Sequence, residues 1–345
     1  MNVRPETQGP TVLLAGVGAV GARAARQLVD TDGIGRVVLA ERRPDQRRTA
    51  LDSLGERAVA LDDPYGDWPD DIAIVVSALP ASGDGRLARV AIERGVPFVS
   101  GTEDADTIDE LLALQPIARA SGVSVVIGCG LAPGLSDVLA RHAASALEDV
   151  DEVHIARVGT SGPASVATMK RALRERPREW RDGSWHEGRR RPTRELVWFP
   201  EPVGGRDCDA VASGIALLQR QFPDAQRLTI RYGEGEDSPG WRRAGDAAAW
   251  GAARVEVWGR RGRARDSIVY GVVERTAVAT GTMLAVVAGS MLGALDLGRP
   301  AGPGVFAASE FLEPVPLLTE LSRRGVKAAT FEGVGGESPA TSPRG

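Results

Sequence analysis

The sequence predicts an α/β protein that opens with a Rossmann domain, a doubly wound parallel sheet between helices, and continues into a second domain of different pattern. Three observations predict it. Short apolar runs alternate with helical patterns from Thr11 to about residue 150, as βαβ units with right-handed crossovers require. The first run breaks into Gly16-Val-Gly18-Ala-Val-Gly21 and then into an Ala-rich helix. Beyond Asp149 the strands change to polar alternation, as in Val153-His-Ile-Ala-Arg157-Val158, and this shift marks the second domain.

Thr11–Ala15 reads as the first strand and Ala22–Val29 as the helix behind the glycines. In a dinucleotide-binding turn Gly16 permits the sharp bend, Gly18 leaves room for a pyrophosphate, and Gly21 lets helix and strand pack closely. Phosphate oxygens would sit on free N–H groups at the helix N-terminus, around Ala19 and Val20. The second strand, Arg36–Ala40, ends in Glu41, about 20 residues after Gly21, where a carboxylate can take both ribose hydroxyls of an adenosine. Arg42, Arg43, Arg47 and Arg48 follow. Glu41 would repel a 2′-phosphate and so favours NAD, whereas Arg42 could accommodate that phosphate or stack on the adenine. A solvated helix face is the other reading of these arginines. The expected cofactor is NAD(P), with NAD preferred.

The 345 residues allow two domains, each able to bury a core. A net charge of −4 argues against a nucleic-acid partner. Of the 42 basic residues only Lys170 and Lys327 are lysines, and the arginines suit anionic ligands. Cys129 and Cys208 read as reduced thiols of a cytoplasmic protein. Met1 to Pro10 carries no apolar signal region. Thr276 to Leu295 is uncharged and long enough to span a bilayer. Its richness in Ala, Gly, Thr and Ser makes it a buried interface helix instead, so no membrane partner is expected.

Asp71–Ser77 is nearly all apolar, as a strand buried on both faces should be. Ligands bind beyond the carboxyl ends of parallel strands, so Ser77, Ala78, Leu79 and Pro80 should border the cofactor. Helix Gly85–Arg94 leads to the strand Val96–Ser100, whose end, Gly101-Thr102-Glu103, borders the same cleft. A helix over Asp106–Ser121 and a strand over Val123–Ile127 follow. Gly128-Cys129-Gly130-Leu-Ala-Pro133-Gly134-Leu-Ser136-Asp137 then turns into the helix Val138–Leu147. Its N–H groups could hold a substrate carboxylate at the mouth of the cofactor site, or Ser136 or Asp137 could simply cap the helix. The candidate substrate-binding residues are Cys129, Gly130, Pro133, Gly134 and Ser136.

Four motifs in this order, Gly16-x-Gly18-x-x-Gly21, Val76-Ser-Ala-Leu-Pro80, Gly95-Val-Pro-Phe-Val-Ser-Gly101 and Gly128-x-Gly130-x-x-Pro133-Gly134-Leu-Ser136, make the first 150 residues resemble the saccharopine dehydrogenase-like family. That family also includes saccharopine reductases, carboxynorspermidine synthases and homospermidine synthases. The resemblance implies a Rossmann domain, a mixed α/β substrate and dimerisation domain, and a C-terminal segment that returns to the first. It further implies that an amine and a carbonyl compound are joined or split through an imine, with nicotinamide as hydride carrier, and that the chain forms a homodimer. The domains then fall at 1–148, 149–297 and 298–332, with a disordered tail over 333–345.

In the second domain Ala164–Arg174 reads as a helix carrying Lys170 and Glu179–Arg194 as a turn-rich hairpin or lid. Glu195 onward is an apolar strand ending in a Gly/Asp/Cys turn at Gly205–Cys208. Strands over Arg227–Tyr232, Arg254–Trp258 and Asp266–Glu274 suggest an antiparallel sheet. The link Gly233–Gly251 carries no readable pattern, and Pro316–Gly325 is an amphipathic helix against the first domain.

An imine or oxo acceptor benefits from a proton donor or fixed cation beside the reacting carbon. The candidates are Lys170 and His186, which no motif fixes, so surface placement stays open for both. His142 and His154 show no metal spacing and neither cysteine has a partner ligand, so no metal is expected. Nucleophile-elbow and P-loop motifs are absent. The expected activity is that of an NAD(P)-dependent oxidoreductase acting on a small amino-acid-derived imine or oxo acid. Two alternatives stay open: a dinucleotide-binding sensor or scaffold without turnover, and an enzyme using bound NAD without net redox.

Overall fold

A computed structural model describes residues 9–188, 194–233, 250–298 and 302–330. The first of its two sheets contains β1 (Thr11–Ala15), β2 (Arg36–Ala40), β3 (Ala58–Leu61), β4 (Ile72–Ser77), β5 (Phe98–Ser100) and β6 (Ser124–Ile127), with β15 (Gly304–Ala307) arriving from the C-terminal part. The order is β15-β6-β5-β4-β1-β2-β3, and every pair is parallel. Strand order reverses between β1 and β4, and in such a sheet the crevice beyond that point receives ligands.

Side chains alternate between two cores. Val12, Leu14, Val37 and Leu39 point to one, and Leu13, Ala15, Val38 and Ala40 to the other. Both faces are covered, which is why these strands read as unbroken apolar runs. The sequence reading contains no counterpart of β3, a four-residue edge strand with only Ala58 buried. The helix expected over Asp106–Ser121 is two helices, Ala105–Leu112 and Gln115–Ala120. Pro116 lacks the N–H a continuous helix would need and sits instead in the first turn of the second.

The second sheet contains β7 (Asp149–Val158), β8 (Arg178–Arg181), β9 (Ser184–Glu187), β10 (Glu195–Trp198), β11 (Gly205–Ala210), β12 (Arg227–Gly233), β13 (Trp250–Arg261), β14 (Ala264–Arg275) and β16 (Ala328–Thr330). Its main path runs β10-β11-β12-β7-β13-β14-β16, with the hairpin β8–β9 attached to β12. Only β12 and β7 pair in parallel. The turn expected at Gly205–Cys208 is therefore strand, and the chain reverses earlier, where Val203 N–H donates to the Pro200 carbonyl. The expected hairpin turns at Asp182 and Gly183, both with positive φ, as a two-residue Asp-Gly turn requires.

Helix Leu135–Ala144 packs against β7, β13 and β14 and so lies between the sheets. Helix Thr276–Met291 is almost wholly buried and runs along helix Ala19–Val29. A Cβ at Gly281 would stand 2.8 Å from the Val20 carbonyl oxygen. Among the described residues no helix is long and apolar enough to cross a membrane. The C-terminal segment touches both sheets: β15 extends the first, while β16 pairs with β14 of the second. The tail over 333–345 and residues 234–249 of the patternless link lie outside the described residues.

Candidate functional site

The glycine loop connects β1 to helix Ala19–Val29. Gly16 has φ +85°, and a Cβ there would lie 2.9 Å from the Ala78 carbonyl oxygen, so the turn at the β1 end requires glycine. A Cβ at Gly21 would lie 1.9 Å from the Gly16 carbonyl oxygen, so helix and strand meet through bare backbone. At Gly18 nothing lies within 4 Å of that position. This open space adjoins a helix N-terminus with no side-chain cap and no acidic residue in its first turn. The N–H groups of Gly18, Ala19, Val20 and Gly21 have no acceptor among the described residues. A cradle bare of side chains, with free donors and a positive helix end, fits a pyrophosphate.

Glu41, 6% exposed, stands beside this loop. One carboxylate oxygen accepts from Val17 N–H at 3.1 Å and the other from the backbone and side chain of Arg43 at 3.0 Å. Burial pushes its carboxyl up, but Arg43 and the two backbone donors outweigh that and hold it below its ordinary value. The other arginines are engaged as well. Arg42 pairs with Asp63 at 3.2 Å and lies 5.5 Å from the Tyr65 ring centroid. Arg47 bonds the Glu41 carbonyl and Asp62, and Arg48 pairs with Asp45.

The ends of β4 and β5 carry a polar network. Ser77 and Ser100, the last residues of those strands, both donate to Asp84, which is 1% exposed. Ser77 Oγ accepts from Leu79 N–H, and Ser100 Oγ accepts from Thr102 N–H. Ala78, Leu79, Pro80, Gly101 and Thr102 thus hang on residues that Asp84 holds. Next in the chain, Glu103 reaches the second sheet. Arg157 of β7, 1% exposed, contacts Glu103 Oε2 at 2.6 Å and donates to the Ala132 carbonyl at 2.8 Å. Ser165 donates to the other oxygen of Glu103.

No protein-family model matches the sequence. Among solved structures, saccharopine dehydrogenase (L-Glu forming) from Saccharomyces cerevisiae superposes with a TM-score of 0.67 at 15% identity, covering 94% of this chain and 100% of that one. The chain has a saccharopine dehydrogenase-like fold. A mutant meso-dapdh with DAP, from Clostridium tetani, gives a TM-score of 0.53 at 14% identity over 91% of this chain and 98% of that one. A probable dehydrogenase from Thermotoga maritima gives 0.52 at 12% identity over 93% and 98%. The saccharopine dehydrogenase-like fold therefore extends over both sheets, well beyond the first 150 residues that carry the motifs.

Within this fold the expected carboxylate cradle at Gly128–Asp137 is closed. Cys129, Gly130, Pro133, Gly134 and Ser136 are all buried. Gly130 N–H donates to the Pro133 carbonyl, Leu135 to Gly130 and Ser136 to Leu131, while Gly134 N–H donates to the Asp137 carboxylate at 2.7 Å. Of the two readings, the capped helix is the one observed, with the Asp137 carboxylate reaching back to the N–H of Gly134, the residue before the helix. The physical reason is the packing around the helix start, where Leu217 lies against Gly128, Gly214 against Pro133, and Arg157 on the Ala132 carbonyl. Burial also pushes the Cys129 thiol up, which makes it inert.

Helix Pro163–Ala172 reaches the β5 end, where Ser165 donates to Glu103 and Arg171 pairs with Asp104, whereas His186 is not brought there. Lys170 is exposed, on the side of helix Pro163–Ala172 away from the buried Ser165 and Met169. His186 sits on β9 and bonds Ser184 and the Arg181 carbonyl. Its hairpin joins β12 at Arg227 and Leu228, the opposite end of that strand from Gly233 and about 20 Å away along it. A cavity of about 360 Å³ opens on the outer face of the second sheet, among Glu152, His154, Arg254, Glu256 and Arg265. Alternation along β7 puts these residues on the face opposite Arg157. The sequence reading placed Glu103 at its strand end but not the Arg157 that pairs with it, nor the Asp84 that holds Ser77 and Ser100. The available signal was Arg157 itself, a charge in register with the inward-facing Val153 and Ile155.

Proposed function

We propose that this chain is an NAD(P)-dependent oxidoreductase that transfers hydride to or from an imine or oxo group of a small amino-acid-derived substrate, with NAD preferred. The observation that carries the reading is the space at Gly18, bare of side chains and set against the free N–H groups of Ala19 and Val20. Those donors, with Gly16 and Gly21 shaping the turn, would hold the pyrophosphate. Glu41, kept ionised beside the loop, would take the adenosine ribose and repel a 2′-phosphate, and Arg42 would flank the adenine. Ser77 to Pro80, Gly101 and Thr102 would border the nicotinamide, which supplies the hydride when bound.

Amino-acid-derived substrates carry carboxylates and amines, and Glu103 with Arg157 offers one charge of each sign beside the β5 end. Of the pair, Glu103 is the member that reaches the surface, at 16% exposed, and would face the amine of a small-molecule substrate, with Arg157 holding it from behind. The yeast structure that superposes best of those described is that of a saccharopine dehydrogenase, which agrees with an amino-acid substrate class. A homodimer and the domain limits 1–148, 149–297 and 298–332 belong to the same proposal.

The test is calorimetric titration with NAD, NADH, NADP and NADPH, with Gly18→Trp as a blocked control. Micromolar binding of NAD or NADH, lost in the control, is expected. Folded protein that binds none of the four overturns the proposal. Binding without hydride exchange into any amino or oxo acid offered would favour a sensor.

A further inference from the structure

We infer that Asp84 is a positioning residue for the dinucleotide, fixing through Ser77 and Ser100 the backbone of both strand ends that border the nicotinamide. This rests on the cofactor reading proposed above. Asp84 opens helix Asp84–Glu93 and is buried between the ends of β4 and β5. A serine hydroxyl has one proton and two lone pairs. Ser77 and Ser100 each give that proton to Asp84, so their lone pairs must face the N–H groups of Leu79 and Thr102, at 3.4 and 3.0 Å. One carboxylate thereby orients two hydroxyls, and each hydroxyl holds a backbone segment two residues further on.

The arrangement depends on the charge of Asp84. Burial raises its carboxyl against the two serine bonds, Glu110 raises it further, and the result is about 6. The groups around it are Glu110 of helix Ala105–Leu112, Tyr65, whose hydroxyl donates to the Gly83 carbonyl, and Arg86, stacked 4.2 Å over that ring. Once protonated, Asp84 donates to one serine and accepts from only the other. The serine that has become an acceptor gives one lone pair to Asp84, so its own proton needs a new partner and its second lone pair must realign to meet Leu79 or Thr102 N–H. The hold on one of the two strand ends is thereby weakened.

The experiment measures NAD affinity by calorimetry from about pH 5 to about pH 8 in the wild type, Asp84→Asn, Ser100→Ala and Glu110→Gln. Wild-type affinity is expected to fall about fivefold on acidification, with the midpoint near 6. Asp84→Asn should be flat at the weak level, and Glu110→Gln should move the midpoint to lower pH. Asp84→Asn protein with an unchanged melting temperature and the wild-type affinity profile overturns the inference. If Asp84→Asn does not fold, Ser100→Ala decides, with about fivefold weaker binding expected and unchanged binding overturning it. A wild type that binds no dinucleotide at any pH defeats the cofactor reading itself, and this inference falls with it.

Discussion

Arg157 of β7 and Glu103 beyond β5 join the two sheets through a 2.6 Å contact between Nη1 and Oε2, with the arginine side chain 2% exposed and the glutamate 16%. Such a pair gains strength from its low-dielectric surroundings, yet each ion has given up its water, so losing one partner strands the other. Arg157→Met should cost about 3 kcal/mol in urea denaturation. The double variant Arg157→Met/Glu103→Gln should regain a large part of that loss, because no lone charge remains enclosed. A double variant no more stable than Arg157→Met would mean that packing against Met169 and Tyr232, rather than the charge pair, holds Arg157 in place.

Two glycines of one loop should respond in opposite ways. Gly18→Trp meets no atom within 4 Å of its Cβ position, and φ is −65°, so the melting temperature should stay near that of the wild type while dinucleotide binding disappears. Gly21→Ala would push a methyl to 1.9 Å from the Gly16 carbonyl oxygen. Overpacking of this kind costs about 1–3 kcal/mol, and a thermal melt should report it even without ligand. Equal melting temperatures for the two variants would count against the distinct roles.

Asp84 also sets a pH dependence of stability. Its carboxyl rises from 3.8 to about 6 in the folded chain, so the folded state holds the proton more tightly than the unfolded state. The stabilising contribution is fully present below 3.8 and is lost as pH rises through about 6. Asparagine has no such titration. Urea denaturation should therefore find the stability of the wild type relative to Asp84→Asn declining over that interval, and a constant difference would contradict the assignment.

The Rossmann half was legible because each of its signals is local. Unbroken apolar runs report strands buried on both faces, and Gly16, Gly18 and Gly21 stand where a turn, an open cradle and a close contact need them. The position of Glu41 beside the loop was legible from its spacing alone. The Gly128–Asp137 segment stayed open in sequence because a capped helix start and an anion-binding helix start look alike there; the difference is the distant residues Leu217, Gly214 and Arg157 packed around it. The pairing of Glu103 with Arg157 was invisible for a related reason: 54 residues separate them, and only the docking of β7 at the β5 end makes them a pair. Lys170 and His186 stood out by residue type, and residue type says nothing of which side of a helix or which end of a strand faces the cleft.

The two thiols make a separate prediction. Burial pushes Cys208 up to about 12 and Cys129 higher still, and the reactive species is the thiolate. Titration with a disulfide reagent at neutral pH should find neither cysteine in the native protein and both after denaturation. Rapid labelling of Cys129 in the native state would reopen the Gly128–Gly134 loop as a ligand-facing surface.

Glu41 should decide between the dinucleotides. Its carboxylate is ionised at neutral pH, because Arg43 and the backbone N–H groups of Val17 and Arg43 overcome the effect of burial. A 2′-phosphate arriving at the ribose position would meet that charge, while the nearest guanidinium, that of Arg43, is already bound to it. Glu41→Gln removes the repulsion and releases Arg43, whose side chain is 62% exposed and can swing toward a phosphate. The expected outcome is about tenfold weaker NAD binding together with a gain for NADP, so that the preference shrinks or reverses. Calorimetry with both dinucleotides on both proteins reads this directly. Parallel weakening of NAD and NADP would instead assign Glu41 to holding the loop through Val17, with selectivity set elsewhere.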